Sequence, residues 1–311
     1  MDSVPDESTI IKETNELLGI MGTSESLGSV PTQEQPLMSA PAMTSGTHLQ
    51  PDSQLQPITG QEQQVTPDLH PEKEGTTTVS IRYRDGILLA ADSRGQRRGV
   101  TVTNRLEKIH EIEPMRMYAT VSGSVERCMI WIDKLKELWD SRDGEIHISP
   151  DEATIWLAYR MRQVGLPSEG RLAGRIARLI VCGYEEPGDN IDVPPVFSMC
   201  WVDHNGEMGT ADDFLTSGSG KDHASRVLTR EWREGMTREE VARLASKSIC
   251  FASNVNNHTG GSVHYRTFTT EYFRVEGDGV EHEEVRREFA PRNIRSMLEN
   301  EYRDILLEYP I

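Results

Sequence analysis

Residues 74–94 read Glu74-Gly75-Thr76-Thr77-Thr78-Val79-Ser80-Ile81-Arg82-Tyr83-Arg84-Asp85-Gly86-Ile87-Leu88-Leu89-Ala90-Ala91-Asp92-Ser93-Arg94. Thr77–Tyr83 has the alternation of a strand, whose side chains point to opposite faces in turn. Asp85-Gly86 is a hairpin signal, because tight hairpin turns favour residues that accept positive φ. Ile87–Ala91 is apolar at every position and reads as a buried partner strand. An antiparallel hairpin therefore opens the globular part of the chain.

Upstream of this hairpin the composition changes. Residues 1–75 contain no Phe, Tyr, Trp, Cys or Arg, yet hold eight of the 16 prolines. Two basic residues, Lys12 and Lys73, face twelve acidic ones there, within a total net charge of −17. Such a segment buries too little apolar surface to offset its ordering entropy, so 1–75 is expected to be disordered, with a short amphipathic helix around Ile10–Leu18.

Downstream, Lys108–Ile112 and Met117–Val121 read as strands parted by Glu113-Pro114. A helical pattern runs from Gly123 through Leu138, with Met129, Ile132 and Leu135 on one face. The capping box Ser149-Pro150-Asp151-Glu152 opens a second helix to Val164. Strands follow at Ala177–Tyr184 and Val196–Val202, then a turn at His204-Asn205-Gly206 and another strand reaching Leu215. A helix from Lys221 precedes a second capping box, Thr237 to Glu240, whose helix extends to Ser253. Strands return at Val263–Phe268 and Tyr272–Val275, and Pro291–Leu307 reads as helical. Separate runs of strands and helices predict an α+β domain, with two antiparallel sheets packed between helix pairs.

The mildly acidic folded part carries no basic stripe, which argues against nucleic acid or an anionic membrane as partner. Cys128, Cys182, Cys200 and Cys250 form no CxxC pair and no metal-ligand spacing, so they read as buried free thiols of a reducing compartment, with no metal and no cofactor. No stretch reaches the roughly 18 apolar residues that span a bilayer, and the N-terminus lacks the pattern of a secretory signal. A cytoplasmic protein is expected. Gly218-Ser219-Gly220-Lys221 fails as a phosphate loop, which would need glycine at Leu215 and a hydroxyl at Asp222. No GxSxG elbow occurs.

The chemistry concentrates at residues 74–78. Cleavage after Gly75 would give Thr76 a free α-amine beside its own hydroxyl. That amine, with an unperturbed pKa of about 7.7–8.0, can accept the hydroxyl proton near neutrality without a separate histidine.

Taken with its surroundings, this junction resembles the proteasome β-subunit family, within the N-terminal nucleophile hydrolases. The resemblance runs from Gly75 to about Tyr272. It rests on Gly75-Thr76-Thr77-Thr78-Val79, Ile87 to Arg94, Lys108-Ile109-His110-Glu111-Ile112 and Val121-Ser122-Gly123-Ser124. Further matches are Cys182-Gly183-Tyr184-Glu185, Val202 to Gly206, Thr216-Ser217-Gly218-Ser219-Gly220 and His258-Thr259-Gly260-Gly261. It implies a four-layer αββα sandwich, the Ntn-hydrolase fold, over residues 76–277. Residues 1–75 would then be a propeptide removed at Gly75-Thr76, and 278–311 a C-terminal extension outside the core.

The resemblance also implies roles. Thr76 is the nucleophile, Lys108 the cation beside its hydroxyl, and Asp92 the partner that fixes Lys108. Gly123 offers its N–H to the oxyanion, with Ser122 competing for that role because the preceding loop is one residue longer than in many relatives. Ser219 orients the Thr76 amine. Active relatives place an aspartate where this chain has Asn256, which can still donate and accept hydrogen bonds but carries no charge. Gly95, Leu106 and Val121 match the positions that flank substrate, with Gln96 and Arg97 adding polarity.

The implied activity is threonine-type endopeptidase. The implied partners are other β subunits in a seven-membered ring, α-subunit rings, a regulatory ATPase and unfolded polypeptide substrates. Two alternatives remain at this stage: a non-catalytic structural β subunit that completes a ring, and an amidase of the same superfamily acting on a small molecule.

Overall fold

The computed structural model describes residues 75–97, 99–140, 148–165, 175–185, 195–269 and 289–310. The N-terminal arm to residue 74, the helix expected at Ile10–Leu18 and the strand expected at Tyr272–Val275 lie outside the described residues.

The opening hairpin forms as read. Strands β1 (Thr77–Tyr83) and β2 (Gly86–Asp92) pair antiparallel, from Thr78 opposite Ala91 to Tyr83 opposite Gly86. A short ribbon follows, β3 (Gly95–Arg97) with β4 (Val100–Thr103). Then come β5 (Ile109–Glu113), β6 (Met117–Gly123), α1 (Val125–Asp140), α2 (Pro150–Val164), β7 (Ala177–Glu185), β8 (Val196–Asp203) and β9 (Met208–Thr210). The chain continues through β10 (Phe214–Gly218), α3 (Lys221–Glu231), α4 (Arg238–Val255) and β11 (Ser262–Thr269). It ends in β12 (Arg292–Asn293), α5 (Ile294–Asn300) and α6 (Ile305–Glu308).

Two five-stranded antiparallel sheets result, ordered β10-β1-β2-β11-β12 and β5-β6-β7-β8-β9. Three apolar clusters bind the layers. Leu88 and Ala90 of β2 pack with Val227, Leu228, Ala245 and Ile249 from α3 and α4. Ala119 and Val121 of β6 pack with Trp131 and Leu135 of α1 and Leu157 of α2. Between the sheets, Ile87, Leu89 and Ala91 meet Ile180, Cys182 and Met199. Strand β2 is thus covered on both faces, which is why its sequence is apolar without alternation. The architecture is the four-layer αββα sandwich, and both capping boxes form, Ser149 with Glu152 and Thr237 with Glu240.

The structure corrects three readings. The single strand expected to reach Leu215 is two strands in different sheets, β9 on β8 and β10 on β1, so the chain crosses between layers at residues 211–213. Neither fragment is long enough to show its own alternation. The β3–β4 ribbon was not read at all. Its valines, Val100 and Val102, are about two-thirds exposed, so it has no buried face to reveal it. The C-terminal segment, expected outside the core and helical within Pro291–Leu307, instead adds strand β12 to the edge of β11. It inserts Ile294, Met297, Ile305 and Tyr309 into the core cluster of α3 and α4. Two short helices are enough for that contact, and the helical period predicted over the whole segment is broken between Glu301 and Asp304.

Candidate active site

Antiparallel pairing alone gathers one group of chain ends. Residue 77 opposes Gly218 and Thr78 opposes Ala91, so the start of β1 lies beside the ends of β2 and β10. In the second sheet Ile109 opposes Thr120, which puts the start of β5 beside the end of β6. Thr76 precedes β1, Asp92 ends β2, Lys108 precedes β5, Gly123 ends β6 and Ser219 follows β10. Topology brings all five to one rim.

The details are polar and dry. Thr76, Asp92 and Lys108 are almost wholly buried. Lys108 Nζ donates to Asp92 Oδ1 at 2.8 Å and to the Gly75 carbonyl at 3.4 Å. Asp92 also accepts the backbone N–H groups of Thr77 (2.8 Å), Gly260 (2.9 Å) and Arg94 (3.2 Å), so both of its oxygens are satisfied. Burial pushes the Lys108 pKa below the usual lysine range, against the opposing pull of Asp92, and nearby Arg94 lowers it further. This ion pair is held by many charge-assisted bonds, the condition under which a buried pair persists.

The Thr76 hydroxyl donates to the carbonyl of Gly75 at 2.7 Å, on the bond whose cleavage would free the threonine amine. The Thr76 backbone N–H donates to Ser219 Oγ at 3.3 Å, and its carbonyl accepts the Gly220 N–H at 3.3 Å. Gly218 makes this approach possible. Its φ is +92°, and a Cβ there would sit 2.1 Å from the Thr76 carbonyl oxygen. Asn256, the C-cap of α4, donates from Nδ2 to Ser219 Oγ at 3.0 Å, while its Oδ1 accepts the His258 N–H at 2.9 Å. Asn256 thus reaches Thr76 through Ser219.

The direction of the Gly123 N–H follows from strand parity. Ser124 N–H bonds the carbonyl of Ile176, the residue just before β7, so Ser122, two residues earlier, also faces β7, opposite Arg178. Val121 faces the other way, donating to the Lys108 carbonyl at 3.0 Å. Gly123 shares that direction but lies past the first residue of β5, so its N–H meets the cleft and not a strand. Its φ of +86° and the Ile176 carbonyl 2.7 Å from any added Cβ both require glycine. The Ser122 N–H is directed into the ladder, and geometry thereby separates the two residues that compete in the sequence.

A cleft of ≈ 390 Å³ opens beside Thr76, lined by Gly95, Gln96, Thr103, Leu106, Gly123 and Arg175 among others. Of the residues expected to flank substrate, Gly95 and Leu106 line this cleft. Val121 does not: it packs in the core with Trp131 and Leu135. Residues that the sequence did not single out include Arg94, which donates to the Asn257 carbonyl at 2.8 Å, and Thr259, whose hydroxyl meets that of Thr77 at 2.6 Å. Both lie inside the quoted motifs, Ile87 to Arg94 and His258 to Gly261, but carried no assigned role. Among the described residues no group of three or more His, Cys, Asp or Glu side chains could hold a metal ion, and no helix is long and apolar enough to cross a membrane.

Residues 72–267 match the model of the proteasome subunit family. This chain belongs to the proteasome β-subunit family. Among its relatives, the proteasome subunit beta type-8 of Rattus norvegicus is 29% identical over 66% of this chain and 70% of its own length. The proteasome subunit beta of Natronomonas pharaonis is 28% identical over 73% of this chain and 96% of its own. The proteasome subunit beta type-5-B of Arabidopsis thaliana is 30% identical over 67% and 71%. As a proteasome β subunit, the chain is of a kind that assembles with other subunits in the core particle.

Proposed function

We propose that this chain is a catalytic β subunit, a threonine endopeptidase made as a precursor that cleaves itself at Gly75-Thr76. The observation that carries this reading is the Thr76 hydroxyl seated on the Gly75 carbonyl, with the Lys108–Asp92 pair touching the same oxygen. A solely structural subunit has no need of a buried lysine at that bond.

In self-processing, Thr76 Oγ attacks the Gly75 carbonyl carbon and loses its proton to water. The C–N bond breaks, the nitrogen is protonated, and an ester on Oγ remains until water hydrolyses it. Thr76 then carries a free α-amine. With a peptide substrate the same Oγ attacks the scissile carbonyl, and its proton passes through a water to that amine. The Gly123 N–H stabilises the oxyanion, the amine protonates the leaving nitrogen, and water releases the acyl group. Lys108 favours the alkoxide and lowers the proton affinity of the amine by like-charge repulsion. Ser219, supported by Asn256, orients the amine. Gly95 and Leu106 flank the substrate side chain. No metal or cofactor enters these steps.

In this reading residues 1–75 are a propeptide that keeps the nucleophile blocked until assembly. The particle is a seven-membered β ring stacked with α-subunit rings, served by a regulatory ATPase, in the cytoplasm, and its substrates are unfolded polypeptides entering the chamber. The competing reading, a structural subunit that never matures, draws on Asn256 in place of the aspartate of active relatives. Intact mass and N-terminal sequencing after co-expression with the α subunit, beside a Thr76→Ala control, separate the two. A new N-terminus at Thr76 that the control lacks supports the peptidase; an assembled particle that keeps the arm sinks it.

A further inference from the structure

The site is assembled from two sheets. Thr76, Asp92 and Ser219 flank the first, while Lys108 and Gly123 flank the second. The apolar cluster between the sheets holds them together without direction, because hydrophobic contact is non-directional. It cannot fix the tilt of one peptide plane, yet an oxyanion donor depends on that tilt.

The plane in question joins Ser122 to Gly123; the β6–β7 pairing sets its direction, with Ser122 opposite Arg178, and two side-chain bonds add to that hold. The Ser122 carbonyl accepts the Cys128 thiol at 3.3 Å, from the first turn of α1. In a trans peptide the carbonyl and the following N–H point in opposite directions, so a bond to the carbonyl reinforces the direction that strand pairing gives the Gly123 N–H. On the other side, Ser122 Oγ shares a 2.7 Å hydrogen bond with Ser217 Oγ across the gap between the sheets. Ser217 opposes Thr78 and lies two residues before Ser219, so this bond ties the oxyanion peptide to the strand that leads to the partner of the Thr76 backbone nitrogen. A neighbouring link, Thr120 Oγ1 to Thr78 Oγ1 at 3.1 Å, runs beside it. Ser122, Ser217 and Cys128 are buried, where such bonds have no water competing for them.

We propose that Ser217 and Cys128 are positioning residues that lock the Ser122–Gly123 peptide, and with it the oxyanion donor, in register with Thr76. The inference rests on the peptidase reading above and on Gly123 as the donor. Neither side chain touches substrate; both act through the peptide.

The test uses the full chain assembled with its α subunit, carrying Ser217→Ala, Cys128→Ala, Cys128→Ser or the pair Ser122→Ala/Ser217→Ala. The pair removes both hydroxyls and orphans neither, so it folds even if a single variant does not. Each particle is assayed with a fluorogenic peptide and with a peptide aldehyde, whose hemiacetal on Thr76 places an oxygen where the oxyanion forms. The expected result is a kcat about tenfold lower in Ser217→Ala, Cys128→Ala and the pair, with KM unchanged and aldehyde affinity weakened by the same factor. Cys128→Ser, which keeps a donor, recovers most of the loss. Unchanged kcat and aldehyde affinity, or a fall in thermal stability with no selective loss of aldehyde binding, overturns the inference and leaves these groups as core packing. A wild-type particle that matures and is active, alongside variants that match it, sinks this inference alone; a wild-type particle that never exposes Thr76 sinks the peptidase reading and the inference together.

Discussion

Two lysines of this chain sit against carboxylates, and their surroundings push them in opposite directions. Lys108 and Asp92 are sealed from solvent, and burial outweighs the attraction of Asp92, so the lysine holds its proton less tightly than a free one. Lys247 on α4 lies between Glu231 and Glu308, with Tyr309 also bonded to Glu231. Burial disfavours the Lys247 charge too, but less than the two carboxylate bonds favour it, and its pKa rises above the lysine range. The same attraction on Glu231 outweighs its own burial and lowers its pKa. The difference teaches what each cluster is for. Surface charges in a mixed network stabilise the docking of the C-terminal segment, whereas a dry pair whose lysine is destabilised and aimed at a peptide carbonyl suits chemistry better than stability.

The largest test of this contrast is Lys108→Met. It leaves the Asp92 side chain in the core with its backbone donors but without its lysine partner, and breaking such a buried pair costs about 3–5 kcal/mol. Urea unfolding of the full-length precursor should show that loss, and co-expression with the α subunit should yield no cut at Gly75-Thr76. A variant that unfolds like wild type would show that Lys108 is already neutral in the folded protein and would break the comparison.

Lys247→Met should cost far less, about 1 kcal/mol or below, because the pair is partly solvated. Its pH dependence carries the sign. A lysine whose folded pKa is raised contributes stability that is fully present below its unfolded value of 10.5 and fades as pH climbs through the higher folded value. Glu231, lowered in the fold, contributes above its unfolded value of 4.5, and that contribution fades as pH falls through the folded one. The gap between wild type and variant should therefore be steady from pH 6 to 9 and shrink in acid as Glu231 is protonated. Lys108 has the reverse sign: depressed in the fold, it weighs against stability at low pH and is relieved as pH rises toward 10.5. A Lys247→Met gap that widens in acid would sink the network account.

The two clusters were unequally legible in the sequence. Lys108 and Asp92 sit in short ordered motifs and are marked by the family resemblance; without it they read as a surface lysine and a strand-end turn residue. Much of the fold was equally open, since β2, α2 and α4 announce themselves by an apolar run or a capping box. The Lys247 cluster was hidden, because it forms only when residues 231, 247, 308 and 309 meet through tertiary packing of a segment whose charged sequence reads as peripheral. The Ser122–Ser217 bond and the β3–β4 ribbon were hidden for related reasons. A serine pair across two sheets leaves no periodic trace, and a ribbon with exposed valines imitates a loop. Val121 misled in the opposite sense: Gly123 and Ser124, just beyond it, line the cleft, but its own side chain packs in the core.

The smallest effect expected is also the one that bears most directly on Asn256. At present Asn256 Nδ2 donates to Ser219 Oγ, and that oxygen receives the Thr76 N–H. Asn256→Asp removes the donor and supplies a negative charge two hydrogen bonds from the nucleophile's nitrogen. Ser219 must then donate to the carboxylate, which leaves its lone pairs to the Thr76 amine of the mature enzyme. A nearby anion raises the pKa of an amine, whereas Lys108 lowers it. The acid limb of kcat/KM should accordingly move to higher pH by about half a unit, with the plateau changed by less than about threefold. If Asn256→Asp instead switches on processing in a particle where wild type keeps its arm, the missing charge is what silences the wild-type chain, and the structural reading gains. An unmoved limb would mean that the amine answers to Lys108 alone, and the buried lysine would then dominate its site as completely as the surface network dominates Lys247.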